Sequence, residues 1–292
     1  MDLSLNQKVA DKLREAGDVL EQQGANPFRV GAYRRAAETV AQLDRDLRDI
    51  VAEEGAEGLT ALPAIGRGIA AAIDEILRSG RWSQLERLRG TLDPVKLFRT
   101  VPGIGPRLAE RIHDSLHIDT LEALEIAAYD GRLETVAGVG PRRAAALRAT
   151  LASMLGRVGI LRPRHRNDPN VAIILDVDRE YRELARQDRL PRIAPKRFNP
   201  TGEAWLPILH TNRDSWHFTV LCSNTARAHQ LDRTRDWVIV YFYDDHHDEG
   251  QYTVVSETRG PLTGKRVVRG RETECRAYYA QAEGGMQSSA QS

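Results

Sequence analysis

Val101-Pro-Gly-Ile-Gly-Pro-Arg-Leu-Ala109 decides how this chain is read. A glycine takes the left-handed backbone that a tight hairpin demands, and a second one removes the Cβ that would keep another backbone away. The apolar residue between the two glycines plugs the hairpin into a core. Proline at the start of the next helix costs little, because its missing N–H would be unpaired there anyway. The remaining free N–H groups point outward at the positive end of the helix dipole, which suits one phosphate. The stretch predicts a helix-hairpin-helix turn that grips backbone and does not read bases.

Two other stretches share the pattern. They are Leu62-Pro-Ala-Ile-Gly-Arg-Gly-Ile-Ala70 and Val136-Ala-Gly-Val-Gly-Pro-Arg-Arg-Ala144, so the motif recurs about every 35–40 residues. Ile65, Ile104 and Val139 are the plugs. Gly66, Gly68, Gly103, Gly105, Gly138 and Gly140 are the candidate DNA-facing glycines, and Arg67, Arg107, Arg142 and Arg143 follow within reach of neighbouring phosphates. The first copy departs from the others, with Ala64 in place of the first glycine. One such turn is a weak signal, since any tight helical connection can use it. Three, each followed by arginine, make a strong one. The competing reading is that the turns only pack helices or face another protein.

Outward from these turns, the chain reads as helix up to about residue 155. Asn6–Gln23 places Val9, Leu13, Ala16 and Leu20 three or four apart. Asn26-Pro27 interrupts that pattern and opens Phe28–Leu43; further helices are expected at Ile69–Arg78, Leu108–Leu116, Leu121–Tyr129 and Arg143–Leu155. Residues 156–170, rich in glycine, proline and arginine, read as a linker. Beyond 171 come short aromatic or β-branched runs bounded by turn residues: Trp216–Ser223, Asp236–Tyr243, Gln251–Glu257 and Lys265–Arg269. These are expected strands. The expected division is a first helical domain with one hairpin (1–90), a tandem-hairpin domain (91–155), the linker, a β-rich domain with a helix or two (171–282) and a small, polar, disordered tail (283–292). The fold class is an α N-terminal half with tandem helix-hairpin-helix units and a separate β-rich α+β C-terminal domain.

Charge narrows the mode of binding. The 292 residues hold 42 basic and 41 acidic side chains, a net charge of +1, so bulk attraction does not hold nucleic acid here. Placed arginines and backbone amides must do so. Lysine occurs only at positions 8, 12, 96, 196 and 265, which leaves few amines for Schiff-base chemistry. Cys222 and Cys275 form no CxxC pair, which argues against a zinc ribbon or disulfide framework. No apolar run reaches the ~18–20 residues of a membrane span, and no basic-then-apolar signal opens the chain. The expected place is the cytoplasm, associated with the nucleoid.

Asn26-Pro-Phe-Arg-Val-Gly-Ala-Tyr-Arg-Arg-Ala-Ala37 resembles the start of the N-terminal domain of family X DNA polymerases. Leu62-Pro-Ala-Ile-Gly66 with Ile73-Asp-Glu-Ile-Leu-Arg-Ser-Gly80 resembles that domain's hairpin and following helix, and Val101–Pro106 its second hairpin. Gly131-Arg-Leu-Glu-Thr-Val-Ala-Gly-Val-Gly140 is similar to a further hairpin of the bacterial members. The match covers about residues 5–155. It implies that the first domain holds the 5′-phosphate end of gapped DNA, with Arg29 and Tyr33 in the phosphate pocket, and that the second hairpin grips the primer side; the adjoining Arg34 is a further candidate DNA-binding residue. It also implies a monovalent cation held by hairpin carbonyl oxygens. The lysine with which some members perform lyase chemistry is matched by Ala72, and that helix holds no lysine, so lyase activity is expected to be absent. Polymerase activity is expected to be absent too, because Asp176-Val-Asp178 lacks the preceding Gly-Ser turn. We read that pair as an ordinary acidic strand or helix end. The family's histidine-rich phosphoesterase domain is not recognisable either; Leu209-His-Thr211 has one of its paired histidines.

The C-terminal half offers weaker constellations. His217-Phe-Thr-Val220 matches one copy of a two-histidine phosphoesterase pattern that needs two, so a strand with an incidental histidine is preferred. Ser223-Asn-Thr-Ala-Arg-Ala-His229 either is a capped surface helix or caps a helix through Ser223 or Asn224 and aims Arg227 and His229 at a phosphate. Asp244-Asp-His-His-Asp-Glu249 reads as an acidic turn more readily than as a metal site, and no metal is expected. Lys265–Arg271 is either a basic edge strand against nucleic acid or a solvated edge that resists aggregation. Trp205, Trp216 and Trp237 are core residues or base-stacking platforms.

The expectation that results is a sequence-independent DNA-binding protein. Its partner is DNA backbone, selected by structure such as 5′-phosphate gaps, nicks or ends, in repair or maintenance and with a repair-protein partner. The alternatives are a DNA-processing enzyme with catalytic candidates His217, Arg227 and His229, and a protein-interaction module.

Overall fold

The computed structural model describes residues 4–154, 168–244 and 250–289, without the side chains of Glu122, Ala226, Arg227 and 283–289. The linker reading for 156–167 and the acidic turn at 245–249 therefore lie outside the described residues.

Nine helices among the described residues fill the first half: α1 (Leu5–Gln22), α2 (Pro27–Ala41), α3 (Leu47–Thr60), α4 (Arg67–Ser79), α5 (Ser83–Leu88), α6 (Pro94–Phe98), α7 (Pro106–Leu116), α8 (Leu121–Tyr129) and α9 (Pro141–Met154). The rest comprises α10 (Val171–Arg186), β1 (Arg192–Ile193), β2 (Leu206–Arg213), β3 (Trp216–Cys222), α11 (Ala226–Gln230), β4 (Val238–Tyr243), β5 (Gly250–Ser256), β6 (Arg266–Val268) and α12 (Glu272–Ser289). The strands lie in a sheet of order β1-β2-β3-β4-β5-β6. β1 pairs antiparallel with β2, and β5 pairs antiparallel with both β4 and β6, with Val240 opposite Tyr252 and Val255 opposite Val267. The helical hairpin half and an α+β C-terminal region are both present.

The chain forms two compact units, and each draws on both halves of the sequence. The first comprises Met1–Leu92, Leu190–Thr219 and Tyr243–Glu249; the second comprises Asp93–Arg189, Val220–Phe242 and Gly250–Ser292. Apolar periodicity builds both. In the first, Val9, Leu13, Ala16 and Leu20 form the buried stripe of α1, which Ser4 caps through the Gln7 N–H. In the second, Phe98, Val101, Ile104, Leu108, Ile112, Leu124, Val136, Val139 and Leu147 share one core, so the second and third hairpins are parts of a single module.

Two local readings change. Asp176-Val-Asp178 is neither a strand nor a helix end: it lies inside α10, where Val171, Ile174, Leu175, Asp178 and Tyr181 are buried at helical spacing. Asp178 serves that core by taking a bidentate contact from Arg266, at 2.7 and 3.0 Å. At the C-terminus, α12 continues to Ser289, into the stretch read as a polar tail.

Candidate nucleic-acid interface

The three hairpins have the same local geometry. The N–H of Ile65 donates to Leu62 O (3.3 Å), that of Ile104 to Val101 O (3.0 Å) and that of Val139 to Val136 O (2.9 Å). Each bond closes a four-residue turn whose third residue has positive φ: 60° at Ala64, 88° at Gly103 and 90° at Gly138. A type II turn requires this sign, which glycine adopts freely. Alanine at position 64 holds the same turn at a cost of about 1–2 kcal/mol. Each following helix then begins at the second glycine. Gly66 O accepts from Ala70, Gly105 O from Ala109 and Gly140 O from Ala144, at 2.9–3.0 Å. The plugs Ile65, Ile104 and Val139 are buried, and the turn residues around them are exposed.

The second glycines of the hairpins are not required by the fold around them. Gly66 and Gly105 have φ of −78° and −83°, open to any L-residue. A Cβ added at Gly66, Gly105 or Gly140 would meet nothing within 4 Å. Neither backbone strain nor internal packing calls for glycine here. Among the described residues, the N–H groups of these three glycines face no acceptor. The helix starts are also bare. Helices α1, α2, α3, α6, α8 and α10 are capped by the side chains of Ser4, Asn26, Asp46, Asp93, Thr120 and Asn170. Helices α4 and α7 begin at glycines with no side-chain cap. Their first amides and the positive end of the helix dipole face outward with no capping side chain in the way.

Arginines divide into two roles around the turns. Arg67, Arg107 and Arg142 are exposed, and among the described residues none forms an ion pair. Arg143 is turned back. Its Nη2 donates to Gly103 O at 2.8 Å and its Nη1 to Gly138 O at 3.1 Å, so one guanidinium joins the second hairpin to the third. Two carbonyl oxygens of the hairpins thus already face a cation. The Arg111 guanidinium lies against Gly138, 3.1 Å from where its Cβ would be. The sequence reading missed Arg111; its signal was the i, i+4 spacing from Arg107 along α7.

The α2 candidates are engaged elsewhere within the first unit. Arg34 bridges Asp18 at 2.8 Å and Glu21 at 2.7 Å, and the Arg34 hydrogen bond and charge hold the Glu21 carboxyl below its usual range. Tyr33 is buried against Trp82, and its hydroxyl donates to Gln84 Oε1 at 3.1 Å. Arg29 Nη1 donates weakly to Thr219 Oγ1 (3.4 Å), and the guanidinium lies 5.0 Å from the Tyr243 ring centroid. Among the described residues, its Nε and Nη2 are buried with no hydrogen-bond partner.

Thr219 connects Arg29 to His210, which was not among the site candidates. Gln23 Nε2 donates to Leu88 O at 2.7 Å, so its Oε1 faces His210 Nε2 at 2.9 Å and accepts from it. His210 Nδ1 then accepts from the Thr219 hydroxyl at 3.1 Å. The imidazole is neutral: burial, and secondly the Arg29 and Arg87 charges, push its pKa down to about 3.

The two C-terminal histidine candidates each have a local partner. His217, on β3, pairs its Nδ1 with Asn212 Oδ1 at 2.9 Å and stacks on Tyr243. His229 Nε2 meets Asn224 Oδ1 at 2.6 Å. The two histidines belong to different units. Thr225, not Ser223 or Asn224, caps α11 by accepting from the Ala228 N–H. The Arg227 side chain lies outside the described residues. Arg266 on β6 is held by Asp178 and Asp236 and does not face a ligand as part of a basic edge; Arg269 pairs with Glu257. Trp205, Trp216 and Trp237 are half-buried. Among the described residues, no cluster of His, Cys, Asp and Glu is placed to hold a metal, and no helix is long and apolar enough to cross a membrane.

Comparison with known proteins agrees with the hairpin geometry. Residues 4–82 match a helix-hairpin-helix domain, and residues 95–153 match a SAM-like helix-hairpin-helix tandem. The chain is 30% identical over 125 residues to the DNA polymerase/3'-5' exonuclease PolX of Bacillus subtilis (strain 168); the alignment covers 42% of this chain and 21% of that protein. The chain thus spans about a fifth of the length of that relative. The N-terminal half is built of helix-hairpin-helix domains that resemble the corresponding region of family X DNA polymerases, and this supports DNA binding.

Proposed function

We propose that this chain binds DNA through its sugar-phosphate backbone, independently of base sequence, in DNA repair or maintenance. The observation that carries the reading is the bare helix start after each hairpin. Among the described residues, Gly66, Gly105 and Gly140 leave open space that no internal contact requires, and their amides have no acceptor. A phosphate oxygen fits there with the helix dipole behind it, and Arg67, Arg107 and Arg142 supply charge alongside. With so few phosphates held, the salt dependence is shallow. Selectivity for gaps or ends bearing a 5′-phosphate rests on the family resemblance alone, because Arg29 is turned toward Thr219 and Tyr243.

Serine at the second glycines tests this reading. The G105S/G140S double variant places a better capping residue at two sites with room for it. Folding stability should hold or rise by a few tenths of a kcal/mol. DNA affinity should fall about 10- to 100-fold, as expected when charge-assisted hydrogen bonds of about 1.5–3 kcal/mol are lost. Anisotropy titration of an intact duplex, and of a gapped duplex with and without its 5′-phosphate, reads both the affinity and the selectivity. A stable double variant that binds duplex as tightly as the parent would sink the hairpin reading. Equal affinity for the two gapped duplexes would remove the 5′-phosphate selectivity.

A further inference from the structure

The segment Ala194-Pro-Lys-Arg-Phe-Asn-Pro-Thr-Gly202 lies between β1 and β2, in the unit that contains the first hairpin. Phe198 holds φ of 52°. A bulky L-residue takes this left-handed conformation only where its surroundings enforce it. The ring is nevertheless 46% exposed, and the Arg197 guanidinium lies 5.1 Å from its centroid.

The loop is anchored at both ends. The Lys196 N–H donates to Gly90 O at 2.7 Å. Gly90, with φ of 74°, lets the strand come so close that a Cβ there would lie 2.7 Å from Ala194 O. On the far side, Asn199 Nδ2 donates to Glu203 O at 2.8 Å, and its Oδ1 accepts from the Glu203 N–H at 3.2 Å. Around the ring the loop is basic: Lys196, which is exposed, and Arg197 precede Phe198, and the loop's acidic residue, Glu203, stands at the far anchor.

We propose that this loop is a base-stacking finger for single-stranded DNA. A pinned, half-exposed aromatic ring beside an exposed lysine suits unpaired bases on a charged backbone, since every base has a π-face and the Lys196 ammonium meets a phosphate. In an intact duplex the bases are already stacked, so the ring adds little there. The inference rests on reading the chain as a DNA-binding protein, but it does not depend on the hairpins being the duplex grip.

The test uses the full chain, a labelled oligothymidylate and an intact duplex. Phe198→Ala weakens oligothymidylate binding about ten-fold and leaves duplex binding unchanged. Phe198→Trp retains oligothymidylate binding, and its added fluorescence is quenched by the oligonucleotide. The proposal is overturned if Phe198→Ala binds oligothymidylate like the parent, if it loses affinity equally for both DNAs, or if the parent binds no oligothymidylate. Absence of duplex binding by the parent would overturn the hairpin reading instead, because the finger is read only from the oligothymidylate difference.

Discussion

Arg29 and Arg266 are both drawn inward, each in its own unit, and their surroundings are opposite. Every N–H of Arg266 has an acceptor: Asp178 takes two bonds in a fork, and Asp236, Ser256 Oγ and Val254 O take the rest, at 2.7–3.1 Å. Among the described residues, Arg29 has one long bond to a neutral hydroxyl, a tyrosine ring and two buried nitrogens without a partner. The second unit solves its buried charge with charge. The first unit surrounds its guanidinium with a neutral relay through Thr219, His210 and Gln23. The difference separates a guanidinium committed to the fold from one whose donors the fold leaves unused. Neither sequence reading of Lys265–Arg271, as a basic edge against nucleic acid or as a solvated edge, anticipated that Arg266 is held by the buried Asp178 carboxylate and by Asp236.

The largest expected effect breaks the committed arginine. Arg266→Met leaves Asp178 buried beside a thioether, with Arg182 Nε at 3.2 Å as its remaining cation among the described residues. Removing one partner of a buried pair costs about 3–5 kcal/mol. Urea denaturation should show that loss; a cost below about 1 kcal/mol would mean that Arg266 is as dispensable as Arg29.

Acid should instead act on the first unit. His210 has a pKa of about 3 in the folded chain, against an ordinary value of 6.5, because burial and the Arg29 and Arg87 charges oppose its protonation. The unfolded chain therefore binds more protons between these values. The stabilisation is complete above about pH 6.5 and is lost as pH falls toward 3. At pH 5 the loss from this residue is about 2 kcal/mol. Amide exchange in α2 and β2 at pH 7 and pH 5 should show it, and His210→Asn should flatten the dependence. An unchanged dependence in that variant would assign the acid sensitivity to other groups.

Much of the N-terminal half was legible because its signals are local. A four-residue turn, a plug and an uncapped glycine lie within seven residues, so Val101–Arg107 and Val136–Arg142 specify their own geometry. The first copy was legible too, although Ala64 has to hold φ of 60° where glycine is usual. Helix α10 carried its buried spacing openly at Val171, Ile174, Leu175 and Tyr181, but the strand-rich segments after it biased the reading of the whole region. What sequence could not convey was which arginines remain available. Arg142 and Arg143 are adjacent, yet one is exposed and the other bonds two carbonyls forty and five residues away. Arg29 contacts Thr219, 190 residues along the chain, and no local pattern encodes such a pairing.

The smallest effect is the most discriminating. Arg29→Met removes a weak hydrogen bond and a cation–π contact and strands no carboxylate, so at pH 7 it should cost about 1 kcal/mol or less. Its pH dependence carries the argument. Without the Arg29 charge, the His210 pKa rises toward its ordinary value, and the folded and unfolded chains differ less in protons bound. Acid should therefore destabilise the variant less than the parent, and the gap between them should narrow or reverse as pH falls from 7 to 5. Parallel stability curves across that range would show that Arg29 and His210 are not coupled through Thr219. A large loss at pH 7 would show that Arg29 is held as firmly as Arg266. The contrast between a committed and an available guanidinium would then fail, and Arg29 would be a structural residue of the first unit.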